Sequence, residues 1–169
     1  MGKTMSEEHL VTVCGLYCGA CGLYRARRDA SPSQLKEMIK TLAERWGVSP
    51  EEVDCEGCLS GGKLSPYCRS CEILRCPTTK KDVKRCSDCP DFPCDRIINF
   101  NNDGMRHHAE VLDNIKEQQK IGIQAWLKEQ ERRWECPKCG TPMSWYARVC
   151  DKCGEKQPYR LPSLPRDKK

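Results

Sequence analysis

Residues 68–94 read C-R-S-C-E-I-L-R-C, then P-T-T-K-K-D-V-K-R, then C-S-D-C-P-D-F-P-C. Cys68, Cys71 and Cys76 return as Cys86, Cys89 and Cys94, each displaced by 18 residues. A Cys-x2-Cys-x4-Cys unit is thus written twice. Metal ligation and disulfide bonding are the two chemistries that demand such spacing, and the choice between them decides how the chain folds.

Three features favour metal. The 15 cysteines are an odd number, which cannot all pair. Most fall in Cys-x2-Cys pairs, whose sulfurs converge on one ion more easily than they staple distant loops. The first ten residues hold no apolar run ahead of a small-residue cleavage site, so no secretory leader is expected and the cysteines read as reduced. The conventional core is thin: hydrophobic residues are 38% of the chain with the cysteines counted in, and only two are Phe. Bound metal can offset that, because a structural zinc contributes about 10–16 kcal/mol in a finger-sized peptide. No apolar run reaches membrane-spanning length. The formal charge of +5 is also deceptive. A four-thiolate zinc carries two negative charges, so three such sites bring the total to −1 and remove basicity as an argument for nucleic acid.

Outward from the doubled unit, Cys14, Cys18 and Cys21 form a Cys-x3-Cys-x2-Cys run interleaved with Gly15, Gly19 and Gly22. Radical-SAM enzymes use that spacing for a cluster with one open iron. They also need a barrel of strand–helix repeats, which this chain lacks. Residues 1–13 read as a polar, frayed end, with Leu10–Val13 as a short strand at most. Ser31, Pro32 and Gly47 bracket a helix whose Leu35, Met38, Ile39, Leu42 and Trp46 share one core-facing side. Ser49 and Pro50 cap a further turn to Val53. Cys55-Glu-Gly-Cys58 is a knuckle followed by turn residues. Pro93 opens a short helix carrying Ile97, Ile98 and Phe100, closed by Asn101–Gly104. A longer helical stretch runs from Met105 to Trp134 with a break at Gly122. Its inward residues read as His108, Leu112, Ile115, Ile123, Trp126, Leu127 and Trp134, with Gln118 and Gln119 on the solvated side. His107 and His108 have no ligand partner at useful spacing and read as helix surface.

The four cysteines Cys136, Cys139, Cys150 and Cys153 form two knuckles, C-P-K-C-G and C-D-K-C-G, ten residues apart. Four thiolates with no open position describe a closed tetrahedral zinc ribbon, and Met143, Trp145, Tyr146 and Val149 between them suit a β-hairpin. Rubredoxin-like iron is the lesser alternative there. The other eleven cysteines leave several pairings open. Cys55, Cys58, Cys68 and Cys71 can close a second site, or each repeated triplet can take one outside ligand. Either way Cys14, Cys18 and Cys21 stand one ligand short. Their metal is zinc or a [4Fe–4S] cluster.

The fold class read from these signals is a small, metal-bound, α-rich protein with minor β structure. It divides into a cysteine-rich helical domain (1–100), a helical connector (101–134), a zinc ribbon (135–156) and a disordered basic, proline-bearing tail (157–169). The series Cys14-Gly-Leu-Tyr-Cys18-x2-Cys21, Cys55-x-Gly-Cys58, Cys71-x4-Cys76 and Cys86-x2-Cys89-x2-Phe92-Pro93-Cys94 resembles the prokaryotic family catalogued as domain of unknown function 3795. The resemblance covers about residues 10 to 100, and the Trp134-x-Cys136 ribbon resembles one that some members append. It implies a bacterial or archaeal cytoplasmic protein, often anaerobic, and supplies no activity or catalytic residue. The chain therefore reads as a multi-site zinc protein serving contacts with protein partners. An iron–sulfur protein for electron transfer or cluster handling is the first alternative. The second is nucleic-acid binding through Lys138, Trp145, Tyr146, Arg148 and Lys152. No His-Glu-x-x-His motif is present, so zinc hydrolysis is not expected.

Overall fold

In the computed structural model, which describes residues 7–164, the chain segment next to the first cysteine lies at the centre of the core. Leu10, Val11, Thr12 and Val13 are all buried, Val11 completely. The frayed end expected over 1–13 is therefore not found over 10–13, and residues 1–6 lie outside the described part. A 3-10 turn over Glu7–Leu10 leads in, and a single antiparallel bridge, Val11 to Tyr17, stands where a strand was expected. The reason is compositional. With few large apolar residues, the chain spends its best contiguous run on the interior.

Among the described residues the regular structure is helical. The helices are α1 (Gly22–Asp29), α2 (Pro32–Trp46), α3 (Pro66–Arg69), α4 (Glu72–Arg75), α5 (Asp95–Asn101), α6 (Val111–Ile121) and α7 (Ile123–Arg133). α2 begins and ends where its punctuation predicts. The Ser31 hydroxyl accepts from the Gln34 N–H, Gln34 answers at the Ser31 N–H, and Gly47 closes the helix at φ 64°. A 3-10 turn over Pro50–Glu52 follows. The inward stripe of α2 is less covered than expected. Ala43 alone is buried, while Met38, Ile39, Leu42 and Trp46 lie half-buried against a small second core of Leu23, Val53 and Cys55.

α6 and α7 meet at Gly122, whose φ of 83° makes the corner. Their shared face carries Val111, Ile115, Trp126 and Leu127 into the main core. Gln118, expected in solvent, is buried there as well, beside Asn114 and Gln130 on the same helices. Arg133 of α7 reaches back to the buried Glu110 at 2.8 Å. This main core crosses every boundary drawn on the sequence. It joins Leu10–Tyr24, Ile73, Ile97, α6, α7, Trp145 of the ribbon and Leu161 of the tail.

The tail is a correction. Gln157, Leu161 and Leu164 are buried, and Arg160 bonds back to the carbonyls of Arg133 and Glu135. Residues 157–164 thus wrap the ribbon instead of being disordered, because Leu161, eight residues past Cys153, still reaches the main core and Leu164 is buried beyond it. Residues 165–169, with the end of the proline-rich motif, lie outside the described part. No helix among the described residues is long and apolar enough to cross a membrane.

Candidate metal centres

The two C-terminal knuckles are built alike. In each, the first cysteine's N–H bonds a carbonyl five residues on: Cys136 to Thr141, and Cys150 to Glu155, both at 2.9 Å. In each, a glycine N–H closes onto that cysteine's carbonyl at 2.8 Å, Gly140 onto Cys136 and Gly154 onto Cys150. Those glycines take φ of 69° and 72°, the left-handed turn that the residue after a knuckle needs. The β structure is one bridge per knuckle, Glu135 to Pro142 and Val149 to Lys156, in place of strands running through Met143–Val149.

The result is a four-sulfur cage. All four Sγ atoms lie within 4.8 Å of one another. Cys136 to Cys153 and Cys139 to Cys150 both measure 3.6 Å. With zinc–sulfur bonds near 2.3 Å, a tetrahedron has edges of about 3.8 Å, so the cage has the size of one ion. Cys136 and Cys150 are the buried pair. Hydrogen bonds from the Thr141 hydroxyl and N–H hold the Cys139 thiol well below its ordinary range, at about 6. Cys153 is driven the other way by burial and by its three thiol neighbours, against a Glu155 N–H. Four thiols this close cannot all ionise without a cation among them.

Side chains outside the motif brace the cage. The Gln157 amide donates to Cys136 Sγ at 3.6 Å, and Lys138 pairs with Glu155 at 3.2 Å. Trp145 is 9% exposed and stacks on His107 at 4.4 Å, while Tyr146 bonds the His107 Nδ1 at 2.8 Å. Behind His107, His108 stacks on Phe100 and bonds Asp103 at 2.7 Å. Neither histidine faces a sulfur cage. They form the joint between α5 and the ribbon. The backbone N–H of Trp145 also donates to the Ala20 carbonyl at 2.9 Å, which ties the ribbon to the loop of Cys18 and Cys21.

The eleven N-terminal cysteines fall into a pattern that spacing does not reveal. The first copy of the doubled unit is split. Cys68 joins the Cys55–Cys58 knuckle, with Cys58 and Cys68 sulfurs 3.9 Å apart and a second thiol contact from Cys55 to Cys68. Cys71 and Cys86 both pack on the main core with Cys14. Cys86 also has Cys94, Cys89 and Cys76 near enough to act on its charge. Cys18 lies beside Cys58, and Cys21 lies near Cys55. No two copies of one site result, because α3 and α4 turn the first unit while a 3-10 turn and α5 hold the second.

These thiols are crowded and buried. Burial pushes Cys14 up to about 11, against hydrogen bonds from Thr12 and the Leu16 N–H. Burial and then the neighbouring thiols push Cys86 to about 12. Lys80 donates to Cys89 Sγ at 3.2 Å, a cation placed beside a sulfur. Arg85, 3% exposed, anchors the second copy by bonding the Glu8 and Val11 carbonyls and the Glu8 carboxylate. Arg85, Thr12, Lys80 and Gln157 were not legible as site residues, since each acts on a sulfur or loop through tertiary packing.

Residues 10–99 match the family described as protein of unknown function (DUF3795). The chain belongs to the DUF3795 family. The matched region spans all eleven N-terminal cysteines of this DUF3795 chain and stops ahead of the ribbon. No curated protein and no solved structure matches the chain.

Proposed function

We propose that this DUF3795 protein is a multi-site thiolate metal protein whose ribbon holds one structural zinc ion, and whose helices serve contacts with a protein partner in the cytoplasm. The carrying observation is the cage of Cys136, Cys139, Cys150 and Cys153, all mutually within 4.8 Å. Four sulfur donors leave no open coordination position, so the ion holds structure and does not meet substrate. Zinc suits this donor set, with iron as the competitor of the same geometry. The half-covered stripe of α2, with Met38 and Leu42 at its surface, supports an apolar protein face as partner. Reduced thiolate ligands fit a reducing compartment.

The nucleic-acid reading loses support from the ribbon's own packing. Trp145 is stacked inside and Lys138 is neutralised by Glu155. The iron–sulfur reading keeps one favourable observation, that Cys14, Cys76, Cys89 and Cys94 lie near Cys86 without closing a single-ion cage. Total zinc, iron and acid-labile sulfide on anaerobically purified protein decide among these. Zinc lost on replacing Cys139 and Cys150 by Ser supports the ribbon assignment; iron in that site overturns it. Brown protein with sulfide would move the remaining thiols to the cluster reading.

A further inference from the structure

We propose that Cys18, Cys55, Cys58 and Cys68 form a second four-thiolate centre for a single divalent ion, zinc by its donor set. The inference goes beyond the ribbon and does not depend on it. Spacing allows Cys71 as the fourth partner of Cys55, Cys58 and Cys68. In the fold Cys71 packs on the main core with Cys14, whereas Cys68 packs with Cys55 on the small core, and Cys18 Sγ lies against Gly57 of the Cys55–Cys58 knuckle.

The sulfurs make a continuous chain. Cys55 contacts Cys68, Cys68 lies 3.9 Å from Cys58, and Cys58 contacts Cys18. That central distance matches the edge of a zinc–thiolate tetrahedron, about 3.8 Å. The backbone repeats what the ribbon does. There, the N–H two residues past a cysteine is aimed at its sulfur, from Thr141 to Cys139 and from Glu155 to Cys153. The Gly57 N–H is aimed in the same way at Cys55, and the Ser65 N–H joins it.

Gly57 also explains how the two loops meet. Its φ is 104°, and a Cβ there would sit 3.4 Å from the His9 carbonyl and 3.7 Å from Cys18 Sγ. Those are ordinary van der Waals distances, so it is the positive φ that calls for glycine as the knuckle lies against the Cys18 loop. No three of these sulfurs lie mutually within 4.8 Å, as all four of the ribbon do, so the site is open and an ion would draw Cys55 and Cys18 in toward Cys58 and Cys68. Binding releases the thiol protons and staples the loop of Cys18 to the knuckle some forty residues later. The small core under α2 hangs on that staple, because Cys55 and Cys68 are part of it.

The experiment counts zinc, iron and sulfide per chain in the full-length protein purified without oxygen, with variants C18S, C58S, C18S/C58S and C139S/C150S. Loss of one zinc is expected in C18S and in C58S, with no further loss in C18S/C58S. C139S/C150S should lose a different equivalent, which shows the two centres are separate. Cys18→His, which keeps a zinc ligand, should retain the full count and guards against a folding artefact. A full count in C18S, two equivalents lost in C18S/C58S, or iron with sulfide lost in place of zinc overturns the proposal. A ribbon variant that loses nothing overturns the ribbon assignment alone.

Discussion

His107 sits at the joint between α5 and the ribbon, stacked on Trp145 and bonded to Tyr146. Burial first, and the adjacent His108 second, lower its pKa from 6.5 to about 3, with Asp103 opposing weakly. The unfolded chain therefore takes up a proton near pH 6.5 that the folded chain refuses. The stability this group contributes is complete above the unfolded value and is lost as pH falls from there toward the folded one. Between pH 7 and pH 5 the loss is at most about 2 kcal/mol. Urea melts at those two pH values are expected to show a smaller drop for His107→Phe, which keeps an aromatic ring but cannot titrate. Equal drops would show that the ring is solvated. Two glycines give a second contrast at this scale. Gly47 closes α2 at φ 64° with open space around it, so Gly47→Ala should cost about 1 kcal/mol of backbone strain alone. Gly15, beside Cys14, has φ 85°, and a Cβ there would lie 2.6 Å from Ile115 Cγ1. Strain and overpacking add, and Gly15→Ala should cost roughly 3 kcal/mol or more in the same melts. Similar costs at the two positions would contradict this.

Local punctuation made the helices legible and tertiary burial did not follow from it. Ser31, Pro32 and Gly47 fix α2, and Gly122 fixes the corner between α6 and α7, because caps and positive φ are written in single residues. Gln118 shows the limit, since its polarity points outward while its place on α6 is dictated by what packs around it. The tail shows it again. Three prolines and four basic residues over 157–169 read as disorder, yet Leu161 alone carries that segment into the main core. Leu161→Ala is therefore expected to lower stability by about 2–4 kcal/mol, the cost of a cavity at a buried leucine. A disordered tail predicts no change, so equilibrium denaturation separates the two.

At the scale of the molecule, the ribbon's ligands were readable and the N-terminal ligand sets were not, for one physical reason. Cys136–Cys139 and Cys150–Cys153 are local knuckles closed by their own backbone bonds. The other eleven thiols meet through α1, α3, α4 and α5, and spacing cannot say that Cys71 packs with Cys14 on the main core while Cys68 packs with Cys55 on the small one. The same division should govern how the protein comes apart. The main core rests on Val11, Val111, Ile115 and Trp126, none of which belongs to the ribbon, whereas Trp145 is held by the ribbon on one side and by His107 and the Ala20 carbonyl on the other. Cys150→Ser removes one of the two buried ligands and with it the cage. The expected outcome is loss of one metal equivalent and of the near-ultraviolet dichroism of Trp145, while the far-ultraviolet helical signal of α6 and α7 is largely kept. Helical signal lost in parallel would mean that ribbon and helices unfold as one unit. A Trp145 signal that survives loss of the metal would mean that the stack on His107, and not the ion, holds the ribbon in place.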